Sequence, residues 1–181
     1  MIATAAVLLR RQGYAATGWR QVVAESATPW GSQAHHFPGG KQQLASEAVD
    51  RSGRELEHAL RAALSSVHPA DAVAGWADLA ALALEQSGWA DGCPVATVAL
   101  ETAHQSDELA AACERAFGSW RDALAEAMVE HGLTEADAED LALLVLASIE
   151  GALLLARTSR SPDALRSVGR QLGELLRQRL N

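Results

Sequence analysis

The sequence predicts an all-α chain, and three observations carry that prediction. Leucine- and alanine-rich segments repeat apolar residues at helical spacing, and no segment alternates apolar with polar residues long enough for a half-buried strand. Capping residues, glycines and prolines punctuate these segments at the ends expected of helices. The 181 residues suffice for one large domain or a small domain joined to a medium one, each with a buried core.

Taken in order, Ile2, Ala5, Ala6 and Leu9 form the first helical stripe, and Gly13 suits a left-handed helix end. Thr17 is the expected cap of a second helix with Trp19, Val22 and Val23 on its apolar face, running out near Ala27. Thr28 then caps a third helix with Pro29 in its first position, and Pro38-Gly39-Gly40 stops it after barely two turns. A long fourth helix starts near Lys41, with Leu44, Ala48, Val49, Leu56, Leu60 and Leu64 on one face. Further helices are expected over Ala70–Ser87, from Pro94 to about His104, over Asp107–His131, from Thr134 to near Ser159, and over Pro162–Leu180. Short connections between helices of this length make a bundle.

Three short helices before a long one, with a tight turn between the second and third, outline a helix-turn-helix. A two-turn helix buries too little to stand alone, so it packs on its neighbours and presents its free face outward. Insertion into a major groove needs that arrangement. The charge distribution agrees: residues 1 to 56 hold six basic and four acidic side chains, so a chain of net charge −8 has a slightly basic N-terminal part and a strongly acidic remainder.

Cys93 and Cys113 are too few for a disulfide framework, and no secretory leader is evident, so a cytoplasmic location is expected. The longest apolar run, Leu141 to Ala156, is interrupted by Ser148 and Glu150 and falls short of the ~20 residues of a membrane span, so no membrane partner is expected. No cofactor is expected either. Adjacent His35 and His36 point about 100° apart on a helix and have no third ligand near in sequence, which argues against a metal. Enzyme chemistry finds no nucleophile–base pair, phosphate loop or metal spacing in its support.

The segments Gly13-Tyr14-Ala15-Ala16-Thr17, Trp19-Arg20-Gln21-Val22-Val23-Ala24, Trp30-Gly31-Ser32 and His35-His36-Phe37-Pro38-Gly39-Gly40-Lys41 resemble the DNA-binding domain of TetR-family transcriptional regulators. The HHFPGGK ending is similar to the LmrA/YxaF-like branch, as are Gly92–Glu101 (GCPVATVALE) and Ile149–Arg157 (IEGALLLAR). The resemblance implies a DNA-binding domain over residues 1–45 and a ligand-binding and dimerisation domain over 46–181. It implies a homodimeric repressor that binds a palindromic operator and is released by a small, mostly apolar effector. Thr17 and Lys41 would contact phosphate, and Trp30 to His36 would be the recognition helix. Where the family usually has an inward leucine followed by tyrosine, this chain has Gln33 and Ala34, and Pro29 replaces a frequent serine.

The DNA-contacting set is therefore Thr17, Arg20, Trp30, Gly31, Ser32, Gln33, His35, His36 and Lys41. Gln33 either reads adenine by a bidentate pair or turns inward, while Ser32 reads either base type and Trp30 offers apolar contact. The effector set is Trp76, Trp89, Cys93, Phe117, Trp120 and Met128, with Glu101 and Glu150 as polar anchors; taken singly, each aromatic residue is better accounted for by core packing, and either glutamate could instead be paired structurally. The helix at 141–156 is apolar nearly all round and needs cover on two sides, so it and the helix at 162–180 are expected to form a two-fold dimer interface. Two other readings are a related helical dimer whose DNA specificity has decayed, and a thiol redox sensor acting through Cys93.

Overall fold

The computed structural model describes residues 1–180. Among them it contains nine α-helices and no strand: α1 (Ile2–Ala16), α2 (Trp19–Glu25), α3 (Ser32–His36), α4 (Gly40–Leu64), α5 (Pro69–Gln86), α6 (Pro94–Thr102), α7 (Asp107–Glu130), α8 (Glu135–Ser159) and α9 (Asp163–Arg179). The all-helical class is as the periodicity predicts. The helices form two compact units, one of Met1–Glu55 with Gly92–Phe117, the other of Leu56–Asp91 with Gly118–Asn181. Residues beyond 45 therefore contribute to both units.

In the first unit, Leu8 and Leu9 of α1, Val22 and Val23 of α2, Phe37 at the end of α3, Leu44 and Val49 of α4, and Val95 and Val98 of α6 are buried. The main packing here is of α1 against α6. Gly13 interrupts α1 at φ +79° and ψ −177°, a conformation that side chains with a Cβ rarely adopt. Two expectations need correction. Thr17 does not cap α2, whose N-cap is Gly18; its hydroxyl donates back to the Gly13 carbonyl at 2.7 Å. Nor does Thr28 cap α3 with Pro29 inside it, because α3 begins only at Ser32, behind Gly31 at φ +105°. Thr28 Oγ1 instead meets Ser26 Oγ at 2.8 Å and helps close the turn.

In the second unit, small residues let helices approach closely. A Cβ on Gly169 of α9 would stand 2.5 Å from the Ala77 Cβ of α5, and one on Gly173 would stand 3.2 Å from the Ala70 carbonyl oxygen. Trp120 and Met128 of α7 are fully buried. His68 caps α5 by accepting the Ala70 N–H at 3.2 Å, and Thr134 caps α8 by accepting the Asp137 N–H at 3.2 Å. At 25 residues α8 extends beyond the sixteen-residue apolar run; among the described residues it is the one helix long and apolar enough to cross a membrane by length and composition alone, a test that core helices also pass. Eight of its residues, from Ala138 to Ala156, are nonetheless buried within the fold.

Candidate functional site

The α2–α3 segment is held from beneath and open above. Val22, Val23 and Phe37 are buried, and the Trp19 and Phe37 rings lie 5.8 Å apart, joining the start of α2 to the end of α3. The turn between them uses backbone bonds from Ala27 N to Ala24 O at 3.3 Å and from Thr28 N to Val23 O at 3.3 Å. On the open side Trp30 is 59% exposed, and Gly31, Ala34, His35 and His36 are exposed with it. Arg20 of α2 is exposed as well. A five-residue helix carried this way offers side chains and loop backbone to a ligand while burying none of its own residues.

Of the nine residues assigned to DNA, seven lie exposed or half-buried on α2, α3 and the loop before α3. Gln33 is half-buried, and its Oε1 accepts the Gly31 N–H at 2.8 Å, closing the first turn of α3 in place of a side-chain N-cap. Thr17 is the outlier, because it is buried at the α1–α2 junction with its hydroxyl already committed. Lys41 is also partly committed: Nζ donates to the Ala15 carbonyl at 3.2 Å and sits 4.3 Å above the centre of the Tyr14 ring. Burial pushes the Lys41 ammonium below its usual pKa, with the Glu101 carboxylate pulling the other way. Burial likewise raises the Tyr14 hydroxyl, and Glu108 adds to the rise.

The effector set is divided between the two units. Cys93, Glu101 and Phe117 belong to the first unit, whereas Trp76, Trp89, Trp120, Met128 and Glu150 belong to the second. Trp120 and Met128 are core residues, and Trp89 packs on the cluster of Ala81, Leu84, Ala152, Ala156 and Leu165. Cys93 is buried, and its sulfur accepts the Ala96 N–H at 3.4 Å at the start of α6. Glu101, at the end of α6, accepts the Ala15 N–H at 2.7 Å through its carboxylate.

Trp76 alone of the eight lines an apolar groove of about 430 Å³ in the second unit. Its walls are Leu56, Ala59, Leu60 and Ala63 of α4 and Ala72, Gly75, Leu79 and Ala80 of α5, with Val67 at the connection. One charged group reaches it, Asp71, which is paired with Arg177 of α9. Sequence reasoning placed the α4 residues on a helix face but had no signal that the face stays open after Glu55. A second opening of about 460 Å³ lies where Ser148 of α8 meets Ser167, Gln171 and Glu174 of α9. Among the described residues, no group of three or more His, Cys, Asp or Glu side chains stands together as a metal site would require.

Comparison with known proteins decides the family. The profile described as "Transcriptional regulator LmrA/YxaF-like, C-terminal domain" matches residues 69–171. The uncharacterised HTH-type transcriptional regulator YxaF of Bacillus subtilis (strain 168) is 35% identical over 177 residues, covering 97% of this chain and 93% of its own. The chain belongs to the TetR family of transcriptional regulators, in its LmrA/YxaF-like branch. The HTH-type transcriptional regulator LmrA of the same bacterium is similar to this TetR-family regulator at 30% identity, covering 98% of the chain and 95% of LmrA. A crystal structure of the regulatory protein TetR from Rhodobacter sphaeroides matches with a TM-score of 0.83 at 23% identity, covering 96% of this chain and 95% of the other, and shows the same fold. The proteins this TetR-family regulator matches are transcriptional regulators, not enzymes.

Proposed function

We propose that this TetR-family regulator is a cytoplasmic repressor that binds a palindromic operator as a homodimer and is released by a small, mostly apolar effector. The observation that carries the DNA-binding half is the open face of α3 and the loop before it, where Trp30, Gly31, His35 and His36 are all exposed on a scaffold fixed by Trp19 and Phe37. In this reading Arg20 and Lys41 neutralise phosphates, while Ser32, Gln33 and the histidines face the groove. Thr17 acts through the junction it ties rather than by touching DNA. Because Gln33 Oε1 already holds the Gly31 N–H, bidentate reading of adenine requires that bond to be given up; a single donation from Nε2 does not.

Binding of the full chain to duplex DNA from upstream of its own coding sequence, with scrambled duplex as competitor and over a salt series, tests this reading. Preference for the upstream duplex is expected. Lys41→Ala should weaken both duplexes alike and flatten the salt dependence, whereas Gln33→Ala should relax preference at one base pair. Equal affinity of the unaltered chain for both duplexes would favour decayed specificity instead.

For the dimer, α8 supports the reading with an exposed stripe: Leu143, Leu144, Leu154 and Leu155 are 47–62% exposed, with the small Ala147 and Gly151 between them. Such a surface is covered well by a second copy of α8 and α9. Sedimentation should find a dimer at micromolar concentration, and Leu154→Glu should shift it to monomer. The effector site proposed is the α4–α5 groove, whose volume falls in the range of about 300–1,000 Å³ typical of small-molecule sites. Its one carboxylate is already neutralised by Arg177, so an uncharged ligand with a ring to lie against Trp76 suits it. Quenching of tryptophan fluorescence by the neutral probe N-phenyl-1-naphthylamine, reduced in Trp76→Leu and blocked by filling the groove with Gly75→Leu, is the expected result.

A further inference from the structure

Glu101 lies at the end of α6 and commits its carboxylate to the approach to α2. Oε2 accepts the Ala15 N–H at 2.7 Å, and Oε1 occupies the space beside Gly13, where a Cβ would stand 1.7 Å away. Lys41, at the start of α4, donates to the carbonyl of the same Ala15 at 3.2 Å. Ala15 is thus held through both of its backbone groups by side chains of opposite charge from two other helices. The α6 segment adds two more ties to α1, from Thr97 Oγ1 to the Leu9 carbonyl at 2.9 Å and from Gly92 N to the Arg10 carbonyl at 3.2 Å.

This stretch needs holding. Gly13 breaks the helical conformation, and the four residues from Tyr14 to Thr17 carry the chain to Gly18, the N-cap of α2. Their direction decides where α2 starts, and the Trp19–Phe37 contact passes that direction on to the end of α3. A carboxylate accepting a backbone N–H makes a charge-assisted bond, roughly twice as strong as a neutral one. It is also short-ranged: a shift of α6 by about 1 Å takes the contact out of hydrogen-bonding range. Glu101 falls inside the span matched by the regulatory-domain profile, residues 69–171, yet it acts in the unit that carries the helix-turn-helix.

We propose that Glu101 is a positioning residue through which α6 sets the entry of the chain into α2, and with it the presentation of α2 and α3 to duplex DNA. The proposal rests on the DNA-binding reading above and adds the route by which regulatory sequence reaches that site. Glu101→Gln keeps an acceptor for Ala15 and loses only the charge, so it is the conservative partner to Glu101→Ala. Thr97→Val removes the tie to Leu9 and leaves Glu101 in place.

Amide hydrogen exchange on the full chain, without DNA, reads the latch directly. Exchange at Ala15 and through α2 should quicken about tenfold or more in Glu101→Ala and less than about threefold in Glu101→Gln, with α9 amides unchanged in both. Thr97→Val should leave Ala15 exchange unaltered. Affinity for the upstream duplex should fall about tenfold in Glu101→Ala and recover to within about threefold of wild type in Glu101→Gln. Unchanged exchange at Ala15 in Glu101→Ala would overturn the proposal, as would faster exchange with full DNA affinity. A general weakening of α6 is distinguished by Thr97→Val: if that variant loosens Ala15 as much as Glu101→Ala does, Glu101 has no special role. If the wild-type chain shows no preference for the upstream duplex, the DNA-binding reading fails, and the exchange arm still decides whether Glu101 holds the entry to α2.

Discussion

The two units of this protein are held together by different means. In the first, α2 has seven residues and α3 five, and the junctions before and between them are closed by polar ties: Thr17 to Gly13, Glu101 and Lys41 to Ala15, Gln33 to Gly31. In the second, α5, α8 and α9 have 18, 25 and 17 residues and pack through alanine, glycine and leucine at close range. The contrast follows from size. A helix of one or two turns presents too little apolar surface to fix its own orientation, so directional bonds must fix it; a helix of more than four turns is fixed by its buried stripe. A recognition element left open to a partner has to be built in the first way, because its exposed face is unavailable for packing.

Changes of volume should hurt the bundle most, and changes of hydrogen bonding should hurt the helix-turn-helix. The largest effect is expected for Trp120→Ala, which empties a fully buried site and should cost about 3–5 kcal/mol in denaturant unfolding. Gly169→Val comes next. It drives a side chain into Ala77, and an overpacking cost of about 1–3 kcal/mol is expected, visible as a lowered melting temperature. Thr17→Val keeps the shape but strands the Gly13 carbonyl, for about 1–3 kcal/mol, with faster amide exchange confined to the α1–α2 junction. If Thr17→Val instead proves neutral while Gly169→Val is severe, the first unit is held by packing as well and the contrast fails. Arg51→Ala, which removes an exposed pair with Glu55, should change stability by no more than about 1 kcal/mol.

Alkaline pH offers a finer probe of the first unit. Burial pushes the Cys113 thiol up to about 11, Asp50 adding to the rise and Arg115 opposing it. A pKa raised on folding means that the folded state holds its proton more tightly, so this contribution is complete below the unfolded value of 9.0 and is lost as pH rises toward about 11. Melting temperatures of wild type should therefore fall more steeply than those of Cys113→Ala over that window. The same burial keeps the thiol protonated and poorly reactive at neutral pH, unlike the low-pKa cysteines of redox sensors.

Much of the fold was legible in the residues. Thr134 and Asp137 mark the start of α8, Pro94 opens α6, and Gly13 breaks α1, because capping and backbone preference act within a few residues and leave their signature there. The start of α3 was misplaced by three residues, since Thr28 and Pro29 fit a helix start as well as they fit the turn that actually forms. The site was legible in part: His35 and His36 could be assigned to a short exposed helix, while Trp30, expected on that helix, is exposed in the loop before it, and Glu101 among apolar neighbours looked the same whether it faced a cavity or another helix.

What the sequence by itself determined is the helical class, most helix boundaries and the family, all of which depend on short-range pattern. Only the tertiary structure decided that Glu101 reaches Ala15, that Thr17 is buried, and that an apolar groove opens between α4 and α5. The physical reason is that these contacts join residues up to 86 positions apart, and their geometry is set by how whole helices pack rather than by any local preference.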